Sequence, residues 1–123
     1  MKLFSLLAIA SIVLPLTSSV AAAEGIGPVL VDAKQISVNG NGHKRSFPCN
    51  GRALIVEGTD HVVTTTGVCS SVEVTGANNS VTAEVAPKGK LIVAGTLHKV
   101  EWKSTGEPVQ DMSGVDNQVK RVK

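Results

Sequence analysis

The chain has 123 residues, with 12 Lys and Arg against 10 Asp and Glu, two cysteines, and only three aromatic rings at Phe4, Phe47 and Trp102. That length limits it to one small domain, and so slight a positive balance creates no field to gather nucleic acid or anionic lipid. The scarcity of aromatic rings excludes a stacking platform for bases or sugars.

Residues 1–23 read as a signal peptide. Lys2 gives a positive start, residues 3–14 form an apolar run, residues 15–19 break it, and Ala21 and Ala23 offer a small-residue cleavage site before Glu24. The run is too short and wrongly flanked to span a membrane, so no stable membrane insertion is expected after its removal. No cysteine follows the cleavage region, which disfavours a lipid anchor. The expected location is the periplasm or the outside of the cell. Removal of 1–23 leaves 100 residues with 11 Lys and Arg, because Lys2 is the only charge lost.

Residues 24–35 contain Gly25, Gly27 and Pro28 and read as an N-terminal leader segment, ending in a first strand near residues 29–31. Residues 36–123 read as a β repeat domain. Ile36-Ser37-Val38 alternates as a strand does, and Asn39-Gly40-Asn41-Gly42 is dense turn chemistry. From Ala53 onward the pattern is regular. Glycines recur at Gly40, Gly58, Gly76, Gly95 and Gly114, spaced 18, 18, 19 and 19 residues apart.

Other residues keep step with these glycines. Two before each stands Val38, Val56, Val74, Val93 or Met112, and four before stands Ile36, Leu54, Val72 or Leu91, with Gln110 breaking the series. Three after come His43, His61, Asn79, His98 and Asn117; five after come Val63, Val81, Val100 and Val119, with Arg45 as the misfit in a marginal first copy. A fixed period with matching columns marks stacked supersecondary units. No window carries a helical apolar period, while Val, Ile and Thr are enriched.

The expected fold is therefore all-β: a small parallel β-solenoid of about four to five coils of 18–19 residues. The alternative is an antiparallel β-sandwich or barrel of hairpins, which also reuses Gly and Asn turns. Like residues at one position favour the solenoid, because each copy lays like upon like.

Cys49 and Cys69 are expected to pair as a disulfide, since they lack a Cys-x-x-Cys spacing and small exported domains lean on such bridges. The repeat corners are expected at Gly58, Gly76, Gly95 and Gly114, closed by Asn79 and Asn117 or by histidine, with stacked amides bonding from coil to coil. The chemical reading of the same column is a metal site. Imidazole suits Zn, Cu or Ni, and the candidates are His43, His61 and His98. Asn79 intervenes between His61 and His98 and no third ligand is evident, so no dedicated metal site and no cofactor are expected.

Catalysis finds no constellation. Asp60 and Asp116 share a column but stand three units apart, and Glu57, Glu73, Glu84 and Glu101 fall in different columns. Thr64, Thr66, Thr82 and Glu84 form an outward polar strip, and Lys120, Arg121 and Lys123 a basic end that discourages fibre growth.

At Cys49, Leu54 to Gly58, Cys69, Val72 to Val81, Leu91 to Gly95, Trp102, Pro108 and Gly114 to Asn117, the chain resembles the bacterial exported proteins grouped as domain of unknown function family 3060. The resemblance runs from about Cys49 to Val122. It implies a small exported repeat-built β domain and brings no activity with it. Where relatives tend to carry Asn, this chain has His61 and His98. The function expected is that of a non-enzymatic envelope protein, a binding or structural module whose partner is another envelope protein or a glycan. A weak transition-metal binder is the alternative, and a polysaccharide-active enzyme ranks below it.

Overall fold

A computed structural model of the chain describes residues 25–123. The expected signal peptide lies outside the described residues.

Nine strands follow in order: β1 Val29–Val31, β2 Gln35–Val38, β3 Lys44–Pro48, β4 Ala53–Thr59, β5 Val62–Ala77, β6 Ser80–Val93, β7 Lys99–Lys103, β8 Val109–Met112 and β9 Gln118–Arg121. Among the described residues there is no helix. The chain coils as a parallel solenoid of five rungs. One face stacks β2, β4, the end of β5, the end of β6, and β8; the other stacks β3, the starts of β5 and β6, β7 and β9. β5 and β6 are long because each turns the second corner without losing its pairing, apart from register shifts between Thr64 and Val68 and between Cys69 and Ser71.

The columns read from the sequence are real files. Ile36, Leu54, Val72 and Leu91 stand in register, as do Val38, Val56, Val74, Val93 and Met112. Their partners across the core are Val63, Val81 and Val100 with Trp102, and all of these but Met112 are buried. Stacking like branched side chains at the strand spacing of about 4.8 Å fills the core of each rung against the next. The hairpin alternative is excluded, because successive units pair in parallel and not back to back.

The first copy is a full rung, paired with the second through Ile36↔Leu54 and Val38↔Val56. Arg45 occupies the file of Val63 in the first rung, where its guanidinium lies 5.3 Å from the centre of the Phe47 ring. The leader does more than lead. Its strand β1 pairs antiparallel with β2, Val29↔Val38, and closes that edge of the first rung. The connecting turn is held by Asp32, whose Oδ1 accepts the N–H groups of Lys34 at 2.7 Å and Gln35 at 2.9 Å. Those donors keep its carboxyl below the usual aspartate range.

Cys49 and Cys69 are bonded to each other, with Cα atoms 5.1 Å apart. Both are fully buried, and the bond staples the first rung to the second at the second corner.

Candidate functional site

The most ordered polar feature is the first corner, and it begins with its glycines. Gly76 has φ 108°, and a Cβ there would stand 1.9 Å from the carbonyl oxygen of Gly58 one rung below. Gly58, Gly95 and Gly114 meet the same obstacle at 2.0, 2.0 and 1.8 Å. Only glycine lets one rung settle this closely on the next. Two residues on, the chain takes a left-handed turn at Gly42, Asp60, Asn78, Leu97 and Asp116. Asp and Asn tolerate that conformation; leucine does so at a cost.

The side chain that follows points inward and links rungs through the backbone. His61 Nδ1 accepts the N–H of His43 at 3.0 Å, Asn79 Oδ1 accepts that of His61 at 3.0 Å, His98 Nδ1 that of Asn79 at 3.3 Å, and Asn117 Oδ1 that of His98 at 3.0 Å. The other end of each side chain satisfies a carbonyl of its own corner. His61 Nε2 lies 2.9 Å from Glu57 O, His98 Nε2 2.8 Å from Ala94 O, and Asn79 Nδ2 donates to Thr75 O at 3.0 Å. Asn79 and Asn117 use their second N–H to reach a carbonyl one rung down, Gly58 O and Gly95 O. The expected amide-to-amide stack is thus a ladder from side chain to backbone.

This geometry explains how histidine replaces asparagine. Imidazole Nδ1 stands in for the amide oxygen and Nε2–H for the amide N–H. With Nδ1 accepting, the proton sits on Nε2 and the ring is neutral. His61 is fully buried, and burial is the main reason its pKa lies below the ordinary value of 6.5, with the nearby His43 pushing the same way.

The structure therefore brings His43, His61 and His98 into one file and gives both ring nitrogens of His61 and His98, and Nε2 of His43, to the backbone. The rings of His43 and His61 stack with centroids 5.2 Å apart and planes 13° from parallel, so their in-plane lone pairs do not converge on one ion. Asn79 separates His61 from His98. Among the described residues, no three His, Cys, Asp or Glu side chains gather in a metal-binding arrangement.

Outside the core lies the polar strip. Thr64 and Thr82 are register neighbours between Ser46 and Glu101, and Thr66 stands beside Pro48. Lys103 reaches Glu84 at 3.7 Å, a solvated pair of little weight. Thr66, Thr82, Glu84, Lys103 and Lys123 line part of an open groove of about 370 Å³. Thr65 was not singled out by the sequence. It points inward, is buried, and its hydroxyl meets Thr82 O at 3.3 Å and the Cys69 sulfur at 3.6 Å. Its place between two outward threonines was the available signal.

In the sequence Arg121 is one residue of the basic end formed with Lys120 and Lys123. It lies 5.0 Å over the Trp102 ring and donates to Glu107 Oε1, Ser104 O and Gly106 O at 2.9, 3.0 and 2.7 Å. It closes the last rung as a clamp.

Residues 56–116 match the model of the family described as protein of unknown function, DUF3060. Over those residues the chain resembles that family. The match covers the rungs from the second to the corner of the fifth and leaves Cys49 outside, a narrower span than Cys49 to Val122. No curated protein and no solved structure matches the chain.

Proposed function

We propose that this chain is an exported, non-enzymatic envelope protein, a binding or structural module working in the periplasm or outside the cell. One observation carries the reading: His61, His98 and Asn79, the buried side chains best suited to chemistry, have their polar atoms turned to the backbone of the ladder. What remains for a partner is the rigid outer face of the rungs. The strip of Thr64, Thr66, Thr82 and Glu84, with the groove beside it, is the surface offered to another envelope protein or a glycan. Repeat folds present such faces at fixed spacing, so a partner can be matched rung by rung.

The test is crosslinking in the living cell envelope from a photoreactive residue placed at Thr64, with the captured species identified. Capture of one defined partner, lost on Thr82→Lys, is the expected result. Retention of the chain in the cytoplasm, or turnover of an envelope polysaccharide abolished by a single carboxylate change, would remove the reading. The metal-binding alternative requires Nδ1 of His61 to release the His43 N–H. Titration calorimetry with Zn²⁺ and Cu²⁺ addresses it directly, and no heat is expected.

A further inference from the structure

The two ends of the solenoid are finished differently. At the N-terminal end β1 covers β2. At the other end β8 and β9 pair only with the rung below, leaving their outer edges unpaired among the described residues. Among the described residues the ladder runs up to Asn117, whose Oδ1 accepts the N–H of His98. All four residues of β8 are exposed, and Val109, Met112 and Val115 of the last rung leave 60, 40 and 61 % of their surface in water. An open edge that is also apolar is a template for another strand.

We propose that a second copy of this chain occupies that end, last rung against last rung, about a two-fold axis running along the strands. Because the chain runs out along β8 and returns along β9, this axis lays β8 of each copy antiparallel on β9 of the other. The side chains then match. Register places Gln110, Met112, Val119 and Arg121 on the core side, continuing the files of Leu91, Val93, Val100 and Trp102. Met112 of one copy thus meets the Val119 side of the other and extends the core across the junction. On the outer side β8 carries Asp111 and β9 carries Lys120, so acid lies beside base at both edges.

Stacking the same end on the N-terminus of another copy fits worse. β1 already covers the edge of β2, so β8 would find no open strand there, and β9 with Lys120 and Arg121 would lie along β3 with Lys44 and Arg45, neither strand carrying an acid. The two-fold contact also closes on itself, so assembly stops at two and does not run on into fibres.

Sedimentation equilibrium of the purified full chain over a range of concentrations tests this. The expected mass settles at twice that of one chain. Asp111→Lys weakens the dimer by about tenfold or more, Lys120→Asp does the same from the facing strand, and the two together restore it. Far-UV circular dichroism confirms that each variant keeps its strands; Asp111 and Lys120 are both exposed, and either variant alone reads the contact if the other fails to fold. A single-chain mass at every concentration, a mass growing beyond two chains, or a dimer indifferent to both substitutions would each overturn the proposal.

Discussion

His61 Nδ1 accepts the backbone N–H of His43 at 3.0 Å, across the boundary between the first and second rungs. A protonated ring cannot accept that bond, so the join is sensitive to acid. The unfolded chain takes up a proton at His61 near 6.5, whereas the folded ring, buried beside His43, holds out to lower pH. The histidine's contribution is therefore complete above about pH 6.5 and is lost as the pH falls from there through the depressed folded value. Asp60 nearby works against the depression and narrows the interval. Urea midpoints measured across this range should fall with acid, and His61→Asn should flatten the fall while staying within about 1 kcal/mol of the parent at alkaline pH. Equal slopes for the two proteins would refute the account.

Gly76→Ala should be among the most damaging small substitutions in the chain. Its Cβ meets Gly58 O at 1.9 Å and its φ is 108°, so strain and a backbone clash combine to a cost of roughly 3 kcal/mol or more. Gly51→Ala is the control. Its φ is also positive, at 79°, yet nothing lies within 4 Å of the added atom, and about 1 kcal/mol is expected. Chemical denaturation of both variants separates close approach from conformational strain.

Leu97→Asn should stabilise the protein by about 1 kcal/mol. Leu97 sits at φ 58° with more than half its surface exposed, in a file whose other members are Gly42, Asp60, Asn78 and Asp116. A lower melting temperature would show that its side chain makes a contact worth more than the strain.

Arg121→Ala should cost about 1–2 kcal/mol and redden the emission of Trp102, now only 3 % exposed. The loss comes from the cover over the indole ring together with three hydrogen bonds to the second corner. Fluorescence unchanged by the substitution would leave Arg121 as a surface charge and no more.

Replacing Cys49 and Cys69 together by alanine should cost about 3 kcal/mol, the value expected for closing a loop of this length. The partners are 20 residues apart and both are buried. The effect should appear in the urea midpoint, with the strands still present in circular dichroism.

The spacing of Gly58, Gly76 and Gly95 pointed to the solenoid, because a solenoid repeats one local environment and so must repeat one local sequence, while the parallel pairing of the rungs is what set it apart from stacked hairpins. The ends could not be read that way. Arg45 and Gln110 break the pattern, and each stands in the first or last rung, where its file runs out among the described residues. The strand at Val29–Val31 was visible; its antiparallel pairing was not, since nothing local states which edge a short apolar segment will cover.

The histidine column divides the same way. The sequence by itself determined the period, the inward valine files, the glycine corners and the one possible cysteine pair, because all of these follow from residue type at a fixed spacing. Only the tertiary structure decided what His61 and His98 do, since imidazole can hold a metal, move a proton or replace an amide with equal ease. Which of these it does depends on the direction of two ring nitrogens, and that direction is set by carbonyl and N–H groups one rung away, brought near by the coiling of the chain.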